Sequence, residues 1–334
     1  MAPFISLIIP NRNGEATIGL CLEAAFASKY EPFEVIVVDD HSEDESIEVI
    51  ERFPCKLIRL DRHGGASTAR NTGAAYSRGE VLFFTDADCL LEEGSLAVAA
   101  RSFLSYGPGV VIGGTYTQQP YDQGFFGHFQ SIFINYSECK NIDQADYAAA
   151  HVMVIDSETF RRNRGFPEGF LPVAEDVEFS HRLRRAGCRI VINPRLQVRH
   201  IFNFSLYRSL RNAVFKSMNW TIYSIKNRDV FADSGTASTE LKTNVAFFFT
   251  NVTLLLLYVI YNNSLILYLM TLPIAGSLSV SRGLIMAFFK GGGGVFGVAA
   301  AAYYLFLYPL AVGAGGFAGV VRYLAFGHSQ RKGG

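Results

Sequence analysis

The chain has 334 residues, and its 30 Lys and Arg balance 30 Asp and Glu, so the formal net charge is zero at pH 7. That length suits about two compact domains rather than one, and a neutral balance gives no reason to expect nucleic acid as a partner. Five scattered cysteines without a CxxC pair argue against a disulfide framework.

No basic n-region precedes the first apolar run, so no signal peptide is expected and the N-terminal part is expected to be cytosolic. Residues 5–9 form a short apolar run ended by Pro10, and residues 16–28 have helical spacing. Residues 35–38 read as a buried strand running into Asp39 and Asp40. Ser42 and Glu45 have the spacing of a capping box before a helix that reaches Arg52. A third strand is expected over 56–60, a helix over 66–77, and a fourth strand over 80–85. Short strands alternating with helices predict βαβ units and a mostly parallel, Rossmann-like α/β sheet.

The fourth strand runs straight into Asp86-Ala87-Asp88. On extended chain, residues i and i+2 point the same way. Two carboxylates there suit Mg²⁺ or Mn²⁺ with a phosphorylated ligand, although an Asp-x-Asp alone is more often a solvated turn. In parallel sheets ligands bind at the carboxyl ends of the strands, where the polar groups Pro10-Asn11-Arg12-Asn13, Asp39-Asp40 and Asp86-Ala87-Asp88 fall. Neither GxGxxG nor GxxxxGK[ST] follows the first strand, so side chains rather than a glycine cradle must do the binding.

Residues 174–187 read as a helix, with Glu175, Asp176 and Glu178 in the first turn, basic residues near the end and Gly187 at C′. The acids there either complement the helix dipole or supply a general base. His151 is expected in an apolar strand-like run and His181 on the helix's outer face. Residues 204–218 carry Phe204, Tyr207, Leu210, Val214, Phe215 and Met218 at near-helical spacing, with Arg208, Arg211 and Lys216 between them. That pattern suits an amphipathic helix at a membrane surface or a helix packed on the catalytic core.

Glu240 is the last acidic residue. Uncharged runs over 245–261 and 264–280, joined by Asn262-Asn263, and a Gly/Ala-rich run over 295–321 predict about three membrane spans. Arg282 and Lys290, flanking Gly291-Gly-Gly-Gly294, predict a cytosolic loop. By that rule, a single third span leaves Arg331 and Lys332 on the wrong side.

Seven pieces, in order, resemble the family 2 inverting glycosyltransferases of GT-A fold. They are Ser6-Leu-Ile-Ile-Pro10-x-x-Asn13, Val37-Val-Asp-Asp-His-Ser42, Gly65-Ala-Ser-Thr-Ala-Arg70-Asn71-x-Gly73, Asp86-Ala-Asp88, Gly165-Phe166, Glu175-Asp176, and Pro194 with His200. The resemblance implies a catalytic domain over 1–200, an interfacial linker over 201–240 and a membrane region over 241–334. It implies that Pro10, Asn13, Asp39, Asp40 and Arg70 hold the nucleotide of a nucleoside-diphosphate sugar, a UDP-sugar first among them. Asp86 would orient the donor and share the metal site, Asp88 would ligate Mg²⁺ or Mn²⁺, and His200 would complete the shell. Asp176, beside Glu175, would be the base. The Gln-x-x-Arg-Trp of the processive branch is missing after the base, so one sugar per acceptor is expected. The implied enzyme is a multi-pass protein of the cytoplasmic (inner) membrane. Its catalytic domain would be cytosolic, acting on a lipid-linked or glycan acceptor in polysaccharide or cell-envelope synthesis. The alternatives are a polyprenyl-phosphate sugar synthase and an inactive nucleotide-binding partner module.

Overall fold

The computed structural model describes residues 2–171, 174–230 and 232–326. It divides into two compact units, Met1–Gln123 with Glu138–Asn203, and Gly124–Ser137 with Phe204–Gly334.

The first unit is built on one eight-stranded sheet, whose elements follow the expected alternation. In chain order these are β1 (Ile5–Asn11), α1 (Ile18–Phe26), β2 (Phe33–Asp39), α2 (Ser46–Ile50), β3 (Lys56–Arg59), α3 (Ala66–Ala75) and β4 (Val81–Phe84). Then come β5 (Cys89–Leu91), α4 (Ser95–Tyr106) and β6 (Val110–Tyr116). After α5 (Phe125–Glu138), most of which belongs to the second unit, follow β7 (Met153–Asp156), α6 (Ser157–Arg162), α7 (Glu175–Arg185) and β8 (Arg189–His200). The strand order is β3-β2-β1-β4-β7-β6-β8-β5. β1 pairs in parallel with β2 and β4, and β2 with β3, whereas β7 runs antiparallel to β4 and β6, and β5 to β8. The order reverses between β1 and β4, which opens a crevice at their carboxyl ends.

Strands buried on both faces need continuous apolar runs, and Val81–Phe84 is buried throughout. Phe84 packs 5.1 Å from both Phe160 and Phe166, at the centre of a cluster with Phe179 and Met153. α3 lies close over the sheet because Gly73 has no side chain: a Cβ there would stand 2.5 Å from Ile8 Cγ2. The helix over 175–185 ends as expected. Gly187 is left-handed (φ 87°), its N–H reaches Arg184 O, and the Cys188 N–H reaches Leu183 O, a Schellman closure.

The capping-box expectation is corrected. α2 is a short helix starting at Ser46 with no side-chain cap from Glu45. Ser42 instead accepts from the Asn13 N–H at 2.9 Å and donates to Asp39. The carboxylate at the end of β2 competes for that hydroxyl and wins.

The second unit is helical: α5, α8 (Leu206–Asn227), α9 (Thr239–Tyr261), α10 (Ser264–Val280), α11 (Arg282–Ala302) and α12 (Tyr308–Phe326). α8 is the expected amphipathic helix, but in its first half Ser209 and Ala213 are buried while Tyr207 is 70% exposed and Phe215 42%; nearer its end Asn219, Ile222 and Tyr223 are buried. The reason lies in α12, where Gly315 and Gly319 let the backbones touch. A Cβ at either would stand 2.4 or 2.6 Å from the carbonyls of Val214 and Met218.

Two stretches among the described residues are long and apolar enough to cross a membrane, Thr239–Tyr261 and Arg282–Ala325; Ser264–Val280 is shorter. The expectation of about three spans is thus reduced to two on length and composition. The glycine run at 291–294, expected as a loop, lies inside α11 with a single break at Gly293 (φ 79°, ψ −179°). The long stretch also opens into a π-helical turn at Tyr303–Leu307. The Asn244 side chain donates to the Tyr304 carbonyl at 3.1 Å and accepts from Ser277, so the loosened turn is satisfied from neighbouring helices. Arg331 and Lys332 lie outside the described residues.

Candidate active site

The polar groups at the carboxyl ends of β1, β2 and β4 form two clusters. In the first, Asn11 ends β1 opposite Asp39 of β2 and donates to Asp39 Oδ1 at 2.9 Å. Asp39 also accepts from the Ser42 N–H, while Asn13 (φ 49°) accepts from the Glu43 N–H at 2.8 Å. Asp40 accepts from the Gly64 and Gly65 N–H groups at 2.7 and 2.9 Å and meets His63 Nδ1 at 2.7 Å. Both acids are buried. Expected to accept from a nucleobase, they also hold the two loops that border the crevice. Pro10, next to Asn11 on β1, is half-buried there.

The second cluster is centred on Arg70, on α3 and 4% exposed. Its guanidinium bridges two acids that are far apart in sequence. Nη2 donates to Asp86 Oδ1 at 2.7 Å, and Nη1 to Glu175 Oε1 at 3.1 Å. Phe166 lies under the guanidinium at 5.4 Å. Asn71, the next residue, clamps Phe166 with two 2.9 Å hydrogen bonds to its backbone. Gly165, left-handed at φ 57°, must be glycine, since a Cβ would stand 2.4 Å from Asn71 Oδ1. Asp86 is pushed up by burial, but the charge and hydrogen bond of Arg70, aided by His151 and His200, outweigh that and hold it below the usual carboxylate range.

Asp88 does not join the Arg70 network. Its Oδ2 lies 3.4 Å from His200 Nε2. The backbone fixes that approach: Cys89 pairs with His200 across β5 and β8, and the Ile201 N–H donates to the Asp88 carbonyl at 2.9 Å. His200 stacks on Phe202 at 4.0 Å. Asp88, Cys89 and His200 offer ligand atoms within 4.8 Å of one another. Burial and the nearby acids push the Cys89 thiol well above its ordinary value, which keeps it protonated and a poor ligand for a hard cation. A carboxylate with an imidazole fits Mn²⁺, completed by phosphate oxygens. Asp86 faces Arg70 instead.

Asp176 follows Glu175 on the first turn of α7. Its Oδ2 accepts from the Ala150 N–H at 3.2 Å and its Oδ1 from the Val177 N–H at 2.8 Å. Burial and the like charge of Glu175 push it up to about 6, against those hydrogen bonds and Arg70. A carboxylate so tuned is ionised at neutral pH and basic enough to take a proton.

Two histidines sit elsewhere than expected. His151 lies in a buried 3-10 turn, Ala150–Val152, rather than a strand. His181 is not on an outer face but pairs with Asp146 at 2.9 Å. Sequence reasoning missed His63 on Asp40 and the Glu138–His151 pair, 3.5 Å apart; neither has a spacing signal.

Residues 6–168 match the family model "Glycosyl transferase family 2". The chain is 28% identical over 192 residues to the glycosyltransferase AglE of Haloferax volcanii, covering 55% of this chain and 62% of that protein. It is 28% identical over 131 residues to the glycosyltransferase GlyG of Streptococcus pneumoniae, covering 38% of this chain and 44% of that one. The matches thus span about half the length of these relatives. Among solved structures it resembles the mannosyltransferase PcManGT of Pyrobaculum calidifontis, in complex with GDP-Man and Mn²⁺, with TM-score 0.59 and 17% identity over 97% of this chain and 88% of that one. Staphylococcus aureus TarS 1–349, in complex with UDP-GlcNAc, aligns with TM-score 0.50 and 18% identity over 98% and 92%. The chain therefore carries, over residues 6–168, a glycosyl transferase family 2 domain of the mostly parallel, Rossmann-like GT-A fold.

Proposed function

We propose that the protein is a metal-dependent inverting glycosyltransferase that moves one sugar from a nucleoside-diphosphate donor to an acceptor hydroxyl. The observation that carries this is the Arg70 bridge. One guanidinium joins Asp86, two residues from the metal-type pair Asp88–His200, to Glu175, the neighbour of Asp176. Donor-side and acceptor-side chemistry thus meet within one crevice.

In this reading the nucleoside lies over the ends of β1 and β2, beside Pro10, Asn13 and the loops that Asp39 and Asp40 hold. Asp88 and His200 would hold Mn²⁺ or Mg²⁺, which as a Lewis acid neutralises charge on the leaving diphosphate. Asp86, kept ionised and oriented by Arg70, faces the donor. Asp176 takes the proton of the acceptor hydroxyl as that oxygen attacks the anomeric carbon from the side opposite the diphosphate. Inversion gives a β-linkage from an α-linked donor. A phosphate acceptor is already ionised and needs no base, so the upward tuning of Asp176 favours a hydroxyl over the polyprenyl-phosphate alternative. The neighbours PcManGT and TarS, seen with GDP-Man and UDP-GlcNAc, support a nucleotide-sugar donor with UDP- and GDP-sugars as the first panel. The exposed apolar surface of α9 and α10, including Leu256, Val259, Tyr268 and Leu272, supports attachment to the cytoplasmic membrane with the catalytic unit cytosolic. A lipid-linked acceptor of envelope or polysaccharide synthesis fits that attachment.

The experiment is a donor screen on the full chain in detergent. Isothermal titration and donor hydrolysis are followed over UDP- and GDP-sugars, with Mn²⁺, with Mg²⁺ and with chelator. Metal-dependent binding of at least one donor is expected. Binding of none, by a folded protein, would sink the proposal.

A further inference from the structure

The turn Ala150–Val152 sits between the two halves of the site. On one side Thr85, which immediately precedes Asp86, donates from Oγ1 to the His151 carbonyl at 2.9 Å. On the other the Ala150 N–H donates to Asp176 Oδ2 at 3.2 Å. The donor-side carboxylate and the base are therefore both tied to one three-residue turn, and β7, which follows it, pairs with β4 from Phe84 backwards.

The side chain of His151 lies behind the turn, 8% exposed. Its Nε2 lies 3.5 Å from Glu138 Oε1, and Glu138 Oε2 accepts from Thr115 Oγ1 at 2.7 Å. The imidazole lies flat on Tyr116, with ring centroids 4.1 Å apart and an interplanar angle of 28°. Tyr116 in turn meets the His200 ring near edge-on at 4.9 Å and 68°. Removing one partner of such a buried pair strands the other. Burial works to neutralise His151, but the charge of Glu138, with Asp86 and Asp176 beyond it, raises its proton affinity.

We propose that His151, locked by Glu138, is the positioning residue that sets the spacing between the metal pair Asp88–His200, the donor-orienting Asp86 and the base Asp176. It touches none of the reacting atoms. It reaches Asp86 through Thr85, Asp176 through Ala150, and His200 through the face and edge of Tyr116. The inference rests on the glycosyltransferase reading above. Groups that orient ligands from behind change affinity or activity by about 10–100-fold when removed.

The test compares wild type with His151→Phe and His151→Gln in the full chain. Phenylalanine keeps a ring on Tyr116 and loses the pairing with Glu138, whereas glutamine keeps a polar group toward Glu138. A double variant, His151→Phe with Glu138→Gln, removes the stranded carboxylate and guards against a folding failure. Three quantities are read: kcat and donor KM separately, Mn²⁺ affinity in the presence of UDP or GDP, and the unfolding temperature. In His151→Phe and in the double variant, kcat is expected to fall about 10–100-fold, with Mn²⁺ affinity weakened and donor KM changed less. Part of the loss should return in His151→Gln. A variant that unfolds earlier but keeps wild-type kcat and Mn²⁺ affinity overturns the inference alone. A folded wild type that neither binds nor hydrolyses any donor overturns the functional reading, and this one with it.

Discussion

Arg70 bridges two acids from a buried position. A buried guanidinium with two acid partners is marginal in net stability, yet removing it strands both partners. Arg70→Ala is expected to destabilise the protein by about 3–5 kcal/mol, read as a lowered unfolding temperature in detergent. Asp176 gives a second prediction. Its proton affinity is raised, so this proposed base is ionised above about pH 6 and protonated below. Transfer to a hydroxyl acceptor should fall as pH drops through that value. Asp176→Asn should cost about 10²–10⁴-fold in transfer while donor binding persists. Transfer that is unchanged in the asparagine variant would point to an acceptor that needs no base. Asp39, Asp40, Asp86 and Asp88 could be picked out in the sequence because they close or follow apolar strand runs, and Asp176 because it stands in the first turn of a helix. Their partners could not. Arg70 meets Asp86 across 16 positions and Glu175 across 105, and such pairs exist only once the sheet is folded.

Among the elements, the parallel half of the sheet was readable because burial on both faces demands runs such as Val35–Val38 and Val81–Phe84. The other half was not: β7 runs antiparallel to β4 and β6 while β8 runs parallel to β6, pairings set by long connections rather than by any local pattern. Ser42 misled for a related reason, since a capping spacing is a local signal and Asp39 is a stronger local acceptor. The α3–β1 contact offers a direct check. Gly73→Val would press against Ile8 and Val38, whose methyl groups lie 2.5 and 3.3 Å from the first added carbon. Overpacking of this kind is expected to cost about 1–3 kcal/mol, visible as a lower unfolding temperature. Gly107→Ala, where an added Cβ meets nothing within 4 Å, tests the opposite case: its left-handed φ of 79° makes backbone strain the sole cost.

For the whole molecule, an acidic α/β unit with 27 Asp and Glu against 19 Lys and Arg is joined to a basic helical unit with three against eleven. The apolar runs of the tail were legible as helices, but their division was not. The π-helical turn has a partner in Asn244, on another helix, which no hydropathy pattern reveals. α8 showed the same limit, since its buried face was chosen by Gly315 and Gly319 more than 90 residues later. If α9 and α10 lie in a bilayer, replacing Leu256 and Val259 by Glu should release the protein from vesicles in a flotation assay. A charge in the hydrocarbon core costs about 2.5–3.5 kcal/mol each. Flotation equal to wild type would place those side chains outside the bilayer.

The central claim is that Asp88 and His200 hold a divalent cation that binds the donor's diphosphate. Titrating UDP- and GDP-sugars into wild type and Asp88→Ala, with Mn²⁺ and then with chelator, tests it most directly. The account predicts donor binding that needs Mn²⁺ or Mg²⁺ and is lost in Asp88→Ala while the fold is kept. Donor binding of equal strength with chelator, or in Asp88→Ala, would contradict it.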